Sequence, residues 1–399
     1  MSAPLTITTT PRLIDQPVLL AAGGTGGHVF PAEALAAELL RRGHRVGLVT
    51  DTRGKGFGQN LSDLPLYRIP AGTPTGRALT GKLLAVVDIA RGVVAALALL
   101  ALTKPAAVVG FGGYPALPLL LAARLRRLPI LIHEQNAVLG RVNRLIASRA
   151  SRIATSFPAT RFLPDAIPAT VTGNPVRPAI LTAADVPYTE PGTAIRILVI
   201  GGSQGARVLS DVVPAALAAL SPDLRRRLRV QQQCRPEDLE RVRAAYAAAG
   251  IEAEIAGFFA DVDKRLAATH LVVSRSGAGS TAEIAVIGRP ALLVPYAHAT
   301  DDHQTANAQA LAHAGGAVVI AQDKFTVERV AAAFADLLGD PEQLSRMAAA
   351  ARSVGRPLAT QALADLVERL VTEARQPAPA AVAAKTSTSK DTVVKRNAA

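Results

Sequence analysis

Residues 18–46 read VLLAAGGTGGHVFPAEALAAELLRRGHRV. A short apolar run, Val18–Ala22, leads into four glycines within five positions, and the chain then takes up the spacing of an amphipathic helix. Strand, glycine turn and helix in that order form the entry unit of a parallel sheet covered by helices. Glycines let the backbone approach a ligand closely, and a helix start offers unpaired N–H groups and a partial positive charge, so the loop suits an anion. A dinucleotide fingerprint requires G-x-G-x-x-G. Gly24 and Gly26 begin it, but the third glycine falls on Val29 and the spacing fails. Asp51 stands where a ribose-binding acid would, so a nicotinamide enzyme stays open on this loop alone. The Walker A pattern occurs nowhere, which removes the main support for P-loop hydrolysis.

The unit recurs at IRILVIGGSQGARVLS (195–210), so the chain restarts its scheme halfway. Strands are expected at 18–22, 46–50, 107–110, 130–133 and 151–154, then at 195–200, 230–233, 254–256, 271–274, 291–294 and 317–320. With 399 residues, two domains are expected. The boundary falls in TVTGNPVRPAILTAADVPYTEPGT (170–193), which is rich in Gly and Pro and lacks periodicity. This gives an extension over 1–16, a first domain over 17–175, a linker over 176–192 and a second domain over 193–358. A helix over 359–375 is expected to pack back on the first domain, followed by a disordered tail over 376–399.

Composition narrows the partners. The net charge of +13 points toward a polyanion, either nucleic acid, anionic lipid or a phosphorylated substrate. No RNP segment, zinc-finger spacing or basic zipper is present, so nucleic acid is set aside. The single Cys234 allows no internal disulfide and fits a reducing cytoplasm. The N-terminus has no apolar signal core. In the most apolar stretch, 83–102, Asp88 and Arg91 leave only 92–102 uncharged, which is expected to be too short to span a bilayer.

A third small-residue turn lies in SRSGAGSTAEIAVIGRP (274–290), with Thr281 expected to open a helix and Glu283 in its first turn. A carboxylate there can accept hydrogen bonds from both hydroxyls of a ribose whose phosphates rest on adjacent N–H groups. Complementing the helix dipole is the alternative role.

Seven stretches, GGTGGHVFPA (23–32), GFGGYPALP (110–118), HEQNAVLGRVNR (133–144), GNPVR (173–177), GGSQGA (201–206), SRSGAGSTAE (274–283) and PYAHATDDHQTANA (295–308), are together similar to the bacterial MurG family. These are undecaprenyl-diphospho-muramoylpentapeptide β-N-acetylglucosaminyltransferases of glycosyltransferase family 28. The resemblance runs from roughly residue 18 to 370, in order and spacing. One departure is Leu139-Gly140, where the family has Pro-Gly. The resemblance implies the GT-B fold, an α/β architecture of two Rossmann-like doubly wound parallel-sheet domains facing across a cleft. It also implies inverting transfer of N-acetylglucosamine from UDP-GlcNAc to the C4 hydroxyl of the MurNAc of lipid I, giving lipid II for peptidoglycan and cell-wall synthesis. The implied partners are UDP-GlcNAc, lipid I, an anionic membrane surface and other cell-wall and division proteins, with no nucleic acid. The implied place is the cytoplasmic face of the inner membrane, peripherally attached.

Inverting transfer needs a base for the acceptor hydroxyl and stabilisation of the departing diphosphate. His28 is the candidate base; a hydrogen-bond donor to the acceptor is its rival role. The only D-x-D, Asp261-Val262-Asp263, is explained by a helix start. No cofactor and no protein-bound metal are therefore expected, and Ser203 with its neighbouring amides, Arg177 and the helix start at Ala278, Gly279, Ser280 and Thr281 are expected to hold the leaving phosphates, with Ala282 also among the substrate-binding residues. By resemblance, Asn136 and Gln304 contact the donor sugar, Thr25, Gly26 and Gly27 belong to the loop that holds the acceptor diphosphate and part of the donor sugar, Phe259 sits beside the uracil and Glu283 holds the ribose. Gly23, Gly24, Gly112, Gly113 and Tyr114 form the acceptor loops. For Asn136 a helix cap, and for Phe259 core packing, are the other readings. His133 and Glu134 fit a supporting role, and Asp301 and Asp302 fit dipole complementation. In 75–105, Arg77, Lys82 and Arg91 among apolar residues suit shallow insertion beside anionic head groups, or else a buried helix with a basic rim. The competing functions are another UDP-sugar enzyme, such as a diacylglycerol glycosyltransferase or a UDP-GlcNAc epimerase, and a non-catalytic membrane scaffold.

Overall fold

The computed structural model describes residues 15–52, 61, 63–73, 79–202 and 205–375. Ser203, Arg77, nearly all of the N-terminal extension and the tail over 376–399 lie outside the described residues, as does the side chain of Lys82. The first half supplies β1 (Val18–Ala21), β2 (Val46–Asp51), β3 (Leu66–Ile69), β4 (Ala107–Gly110), β5 (Ile130–Glu134), β6 (Arg152–Thr155) and β7 (Ala169–Val171). They form one sheet in the order β3-β2-β1-β4-β5-β6-β7, parallel at each pairing. The second half supplies β8 (Ile195–Ile200), β9 (Leu228–Gln233), β10 (Glu252–Ala256), β11 (Leu271–Ser274), β12 (Ala291–Leu293) and β13 (Ala317–Val319). Their order is β10-β9-β8-β11-β12-β13, again parallel.

Central strands such as VLLA and LVVS are buried on both faces, because helices cover each side of a parallel sheet. Two apolar clusters flank each sheet: Leu20, Leu35 and Leu39 against Leu19, Leu119 and Leu120 in the first lobe, Val199, Val213 and Val230 against Leu198, Val272 and Ile284 in the second. β3 and β7 were not among the expected strands. Both are short edge strands with outward residues, LYRI and ATV, so neither carries the apolar run of a doubly covered strand.

In each sheet the order reverses beside the first strand, which makes the β1/β4 and β8/β11 gaps the switch points where such folds bind ligands. The glycine loops stand there: residues 23–25 after β1, 111–113 after β4, 201–202 after β8 and 275–277 after β11.

The apolar stretch corrects an expectation. Leu79–Thr103 is one 25-residue helix that runs through Asp88 and Arg91, and Leu83–Thr103 is long and apolar enough to cross a membrane by length and composition. Topology argues against a crossing, since the helix joins β3 to β4 within one sheet and buries Ala85, Ala96, Leu99 and Leu100. Its other side leaves Leu83, Leu84, Val86, Val87 and Val94 exposed.

The last helix, Ala359–Arg375, returns to the first lobe. Leu363, Leu366, Val367, Leu370 and Val371 recur at helical spacing and join the cluster of Val18, Leu20, Leu35 and Leu39. Burying each such side chain is worth about 1.5–3 kcal/mol. Arg42 bonds Asp365 and Glu368, and His44 meets Glu368 at 2.7 Å, which fixes the register of that contact.

Candidate active site

The loop after β1 opens into helix Gly26–Arg41 with Thr25 in the capping position. Its hydroxyl does not cap the helix; it lies 3.3 Å from Nδ1 of His28. Gly23 is obligatory for packing, since an added Cβ would stand 2.8 Å from both Pro115 Cβ and Thr50 Oγ1. Gly112 and Gly113, with φ of 87° and 74°, use the left-handed region open to glycine. They bring the β4 loop against the imidazole: a Cβ on Gly112 would lie 3.4 Å from His28 Nε2, and one on Gly113 3.5 Å from Nδ1. Tyr114 opens the short 3-10 turn that follows. His28 thus sits where the two glycine loops converge. Its pKa is lowered, chiefly by burial and further by His303 of the second lobe, against the opposing effects of Glu134 and of a bond to the Gly23 carbonyl. A neutral ring that donates to a carbonyl through one nitrogen keeps a lone pair on the other.

Behind it, β5 ends in a carboxylate hub. Glu134 Oε1 accepts from the Asn136 N–H at 3.0 Å and from its Nδ2 at 3.2 Å, while Oε2 accepts from the Gly140 N–H and Asn143 Nδ2, each at 2.8 Å. Four donors surround a fully buried carboxylate, so it shapes the 136–143 loop. Leu139 is buried and its N–H donates to Arg161 O at 3.0 Å, a bond that a proline in this place would lose. His133 Nε2 donates to Gly173 O at 3.1 Å and Nδ1 accepts from Gln135 Nε2 at 3.0 Å, which fixes a neutral tautomer.

In the second lobe, helix Ala278–Ile287 starts three residues before Thr281, and its first turn offers the N–H groups of Ala278, Gly279 and Ser280. Glu283 therefore falls in the second turn, followed along the helix axis from the expected first. Its Oε1 accepts from Arg177 Nε at 3.0 Å, so the linker arginine and the ribose candidate meet each other directly. Burial pushes the Glu283 carboxyl up and Arg177 pulls it back. Thr281 bonds Gly277 O at 2.9 Å, and Ala282 lies beside it on the half-buried side. Gln304 Oε1 accepts from the Tyr296 N–H at 3.0 Å. The Phe259 ring is buried in the core beneath the Arg265 guanidinium at 4.0 Å. Asp261 pairs with Arg265 at 2.8 Å, and among the described residues no group of three His, Cys, Asp or Glu side chains could hold a metal.

The lobes touch through Asn307, which the sequence did not single out, and through Asp301 in a role the sequence did not give it. Asn307, fully buried, accepts from the Ala137 N–H at 2.8 Å and donates to Asn136 Oδ1 at 3.0 Å and Ser276 O at 3.1 Å. Asn136 is thus a partner of Glu134 and Asn307 instead of a helix cap. Asn307 lies one turn beyond Gln304 on helix His303–His313, and that spacing was the available signal. Asp301 is the second: it reaches Arg144 and Arg141 of the first lobe, beyond the dipole role expected of it.

Two buried histidines tie stability to pH. Burial pushes His133 down to about 4, and burial with the nearby Arg196 and Arg289 does the same to His270. Unfolded, both titrate near 6.5, so between that pH and about 4 the unfolded chain binds more protons and stability falls as pH falls. Between pH 6.5 and 5 each costs about 2 kcal/mol. Urea midpoints at pH 7 and 5 measure this, and an unchanged midpoint contradicts it.

The chain matches the glycosyltransferase family 28 N-terminal domain over residues 18–155 and the family 28 C-terminal domain over 196–391. A UDP-N-acetylglucosamine--N-acetylmuramyl-(pentapeptide) pyrophosphoryl-undecaprenol N-acetylglucosamine transferase of Rhodospirillum centenum is 53% identical over 355 residues, which cover 88% of this chain and 93% of that relative. A relative of the same description from Granulibacter bethesdensis is 51% identical over 368 residues, covering 91% and 96%. The crystal structure of Acinetobacter baumannii MurG superposes with a TM-score of 0.74 at 34% identity, covering 89% of this chain and 99% of that one. A putative UDP-N-acetylglucosamine 2-epimerase from Listeria monocytogenes, at 18% identity and a TM-score of 0.62 over 90% of this chain and 97% of that one, shares the fold alone.

Proposed function

The chain belongs to glycosyltransferase family 28, and from that membership we infer that it transfers N-acetylglucosamine from UDP-GlcNAc to the lipid-linked MurNAc-pentapeptide, forming lipid II and UDP. The observation that supports this best is the pair of facing switch-point crevices, one holding His28 between two glycine loops, the other holding a bare helix start beside Glu283. His28 takes the proton of the acceptor C4 hydroxyl, that oxygen bonds to the sugar C1 with inversion, and the C1–oxygen bond to UDP breaks. The amides of Ala278, Gly279 and Ser280 receive the negative charge of the leaving diphosphate, with Arg177 beside them. Glu283 holds the ribose hydroxyls, which requires Arg177 to share or release its carboxylate when the donor arrives. The glycines 23–27 hold the acceptor diphosphate and part of the donor sugar.

The exposed Leu83, Leu84, Val86, Val87 and Val94 with Arg91 support a peripheral seat on an anionic bilayer at the inner face of the cell membrane.

The test is UDP release from UDP-GlcNAc with a soluble lipid I analogue, compared with UDP-glucose. Glu283→Gln should raise the donor KM about 10- to 100-fold, the range for a lost charged hydrogen bond, with little change in the acceptor KM. Equal effects on both substrates remove Glu283 from the ribose, and absence of turnover in the parent favours a scaffold.

A further inference from the structure

We propose that Arg144 is a positioning residue for donor capture, an interlobe brace that holds Asp301 and thereby the turn that presents Gln304. The proposal rests on the family 28 reading of the cleft. Three non-glycine residues near this point adopt the left-handed conformation: Phe162 with φ 66° in the first lobe, Asp301 with φ 55° and Asp302 with φ 53° in the second. Aspartate enters that region more readily than most side chains, but for Phe162 the conformation is costly and persists only where surrounding contacts hold it. Arg144 touches both sides. Its guanidinium lies 4.6 Å from the centre of the Phe162 ring, which Arg161 also approaches at 5.3 Å, and its Nη2 bonds Asp301 Oδ2. Arg141 Nη2 reaches Asp301 Oδ1 at 3.3 Å.

From Asp301 the constraint passes along the chain. Thr305 Oγ1 donates to Asp302 Oδ1 at 2.7 Å, and His303 Nδ1 donates to Thr300 O at 2.7 Å. Next comes Gln304, whose carbonyl accepts from Ser276 Oγ at 2.8 Å and ties the turn to the loop before helix Ala278–Ile287. Neither helix start beside Asp301 is closed by a side-chain cap, the N-cap positions being Ala299 and Asp302. Among the described residues its ion-pair partners, Arg141 and Arg144, both belong to the first lobe. Both ionic side chains are only 25–31% exposed, so the pair is partly shielded from solvent screening. The donor turn therefore takes this shape when the lobes meet, and Arg144 links closure to the geometry of the donor subsite.

Arg144→Gln, Asp301→Asn and the double variant test this, asparagine being chosen because it accepts the left-handed region. Each single change should raise the KM for UDP-GlcNAc about tenfold with kcat and the acceptor KM within about twofold, and the double variant should be no worse than either. Arg144→Lys, which retains a point charge, should recover part of the loss. An unchanged donor KM, additive losses, or a joint shift of kcat and both KM values with a lowered Tm overturns the proposal. Small-angle scattering reads the brace without turnover: the single variants should show a larger radius of gyration than the parent, and identical curves also overturn it. A parent that never releases UDP from UDP-GlcNAc sinks the family reading, while the scattering comparison still decides the brace.

Discussion

Replacing His28 by glutamine should lower kcat about 10²- to 10⁴-fold, the range that a positioned general base supplies. The imidazole lies between the β1 and β4 glycine loops and bonds the Gly23 carbonyl, so glutamine keeps polarity and approximate size while it loses the basic lone pair. Burial and His303 hold the pKa below 6.5. As the proposed base, His28 is neutral at pH 7, and the acid limb of kcat/KM should lie below pH 6.5 in the parent and vanish in the variant. UDP affinity should hardly change, because the nucleotide is assigned to the other lobe. A rate loss under about tenfold would move the base elsewhere and leave His28 as a hydrogen-bond donor to the acceptor.

Arg289→Leu should destabilise the second lobe by about 3–5 kcal/mol, among the largest effects expected of a single substitution. Arg289 is 1% exposed and donates to five carbonyls: Leu266 and Ala267 at the end of helix Val262–Ala268, Ile287 and Gly288 at the end of helix Ala278–Ile287, and Val186 of the linker. Two opposing effects meet here. Burial disfavours the cation, which lowers its pKa to about 10, so removing it relieves a desolvation cost. Its loss also strands helix-end carbonyls, each costing about 1–3 kcal/mol when buried without a donor. Five carbonyls outweigh one desolvated charge. A thermal transition lowered on the order of 10 °C is expected. A change below about 1 kcal/mol would mean that water replaces the guanidinium.

The sheets were legible because each central strand carries an apolar run between glycine turns, as in IRILVI before GGSQGA. β3 and β7 were not, since Leu66–Ile69 and Ala169–Val171 sit at edges where one neighbour and partial exposure suffice. Counting uncharged residues understates the length of helix Leu79–Thr103. A helix carries Asp88 and Arg91 without interruption, and what fixes its place is which strands it joins. Local sequence located the glycine loops and Glu283, but it held no sign that Arg177 and Glu283 would meet across 106 positions. Asn307 and Asp301 lay inside a recognised motif, yet their partners are in the other half of the chain, and contact between halves leaves no local pattern.

The return of helix Ala359–Arg375 to the first sheet makes this molecule hard to cut. The polypeptide passes between its lobes twice, once through the segment after β7 and once before Ala359, and Gly173 lies so close to Arg356 that a Cβ there would come within 2.5 Å of the arginine's. A fragment ended at the linker would bare Leu20, Leu35 and Leu39 to water, and expression of either half alone should give an insoluble product. Paired crossings also restrict how the halves can move, favouring a swing about one axis over a free tumble on a single tether.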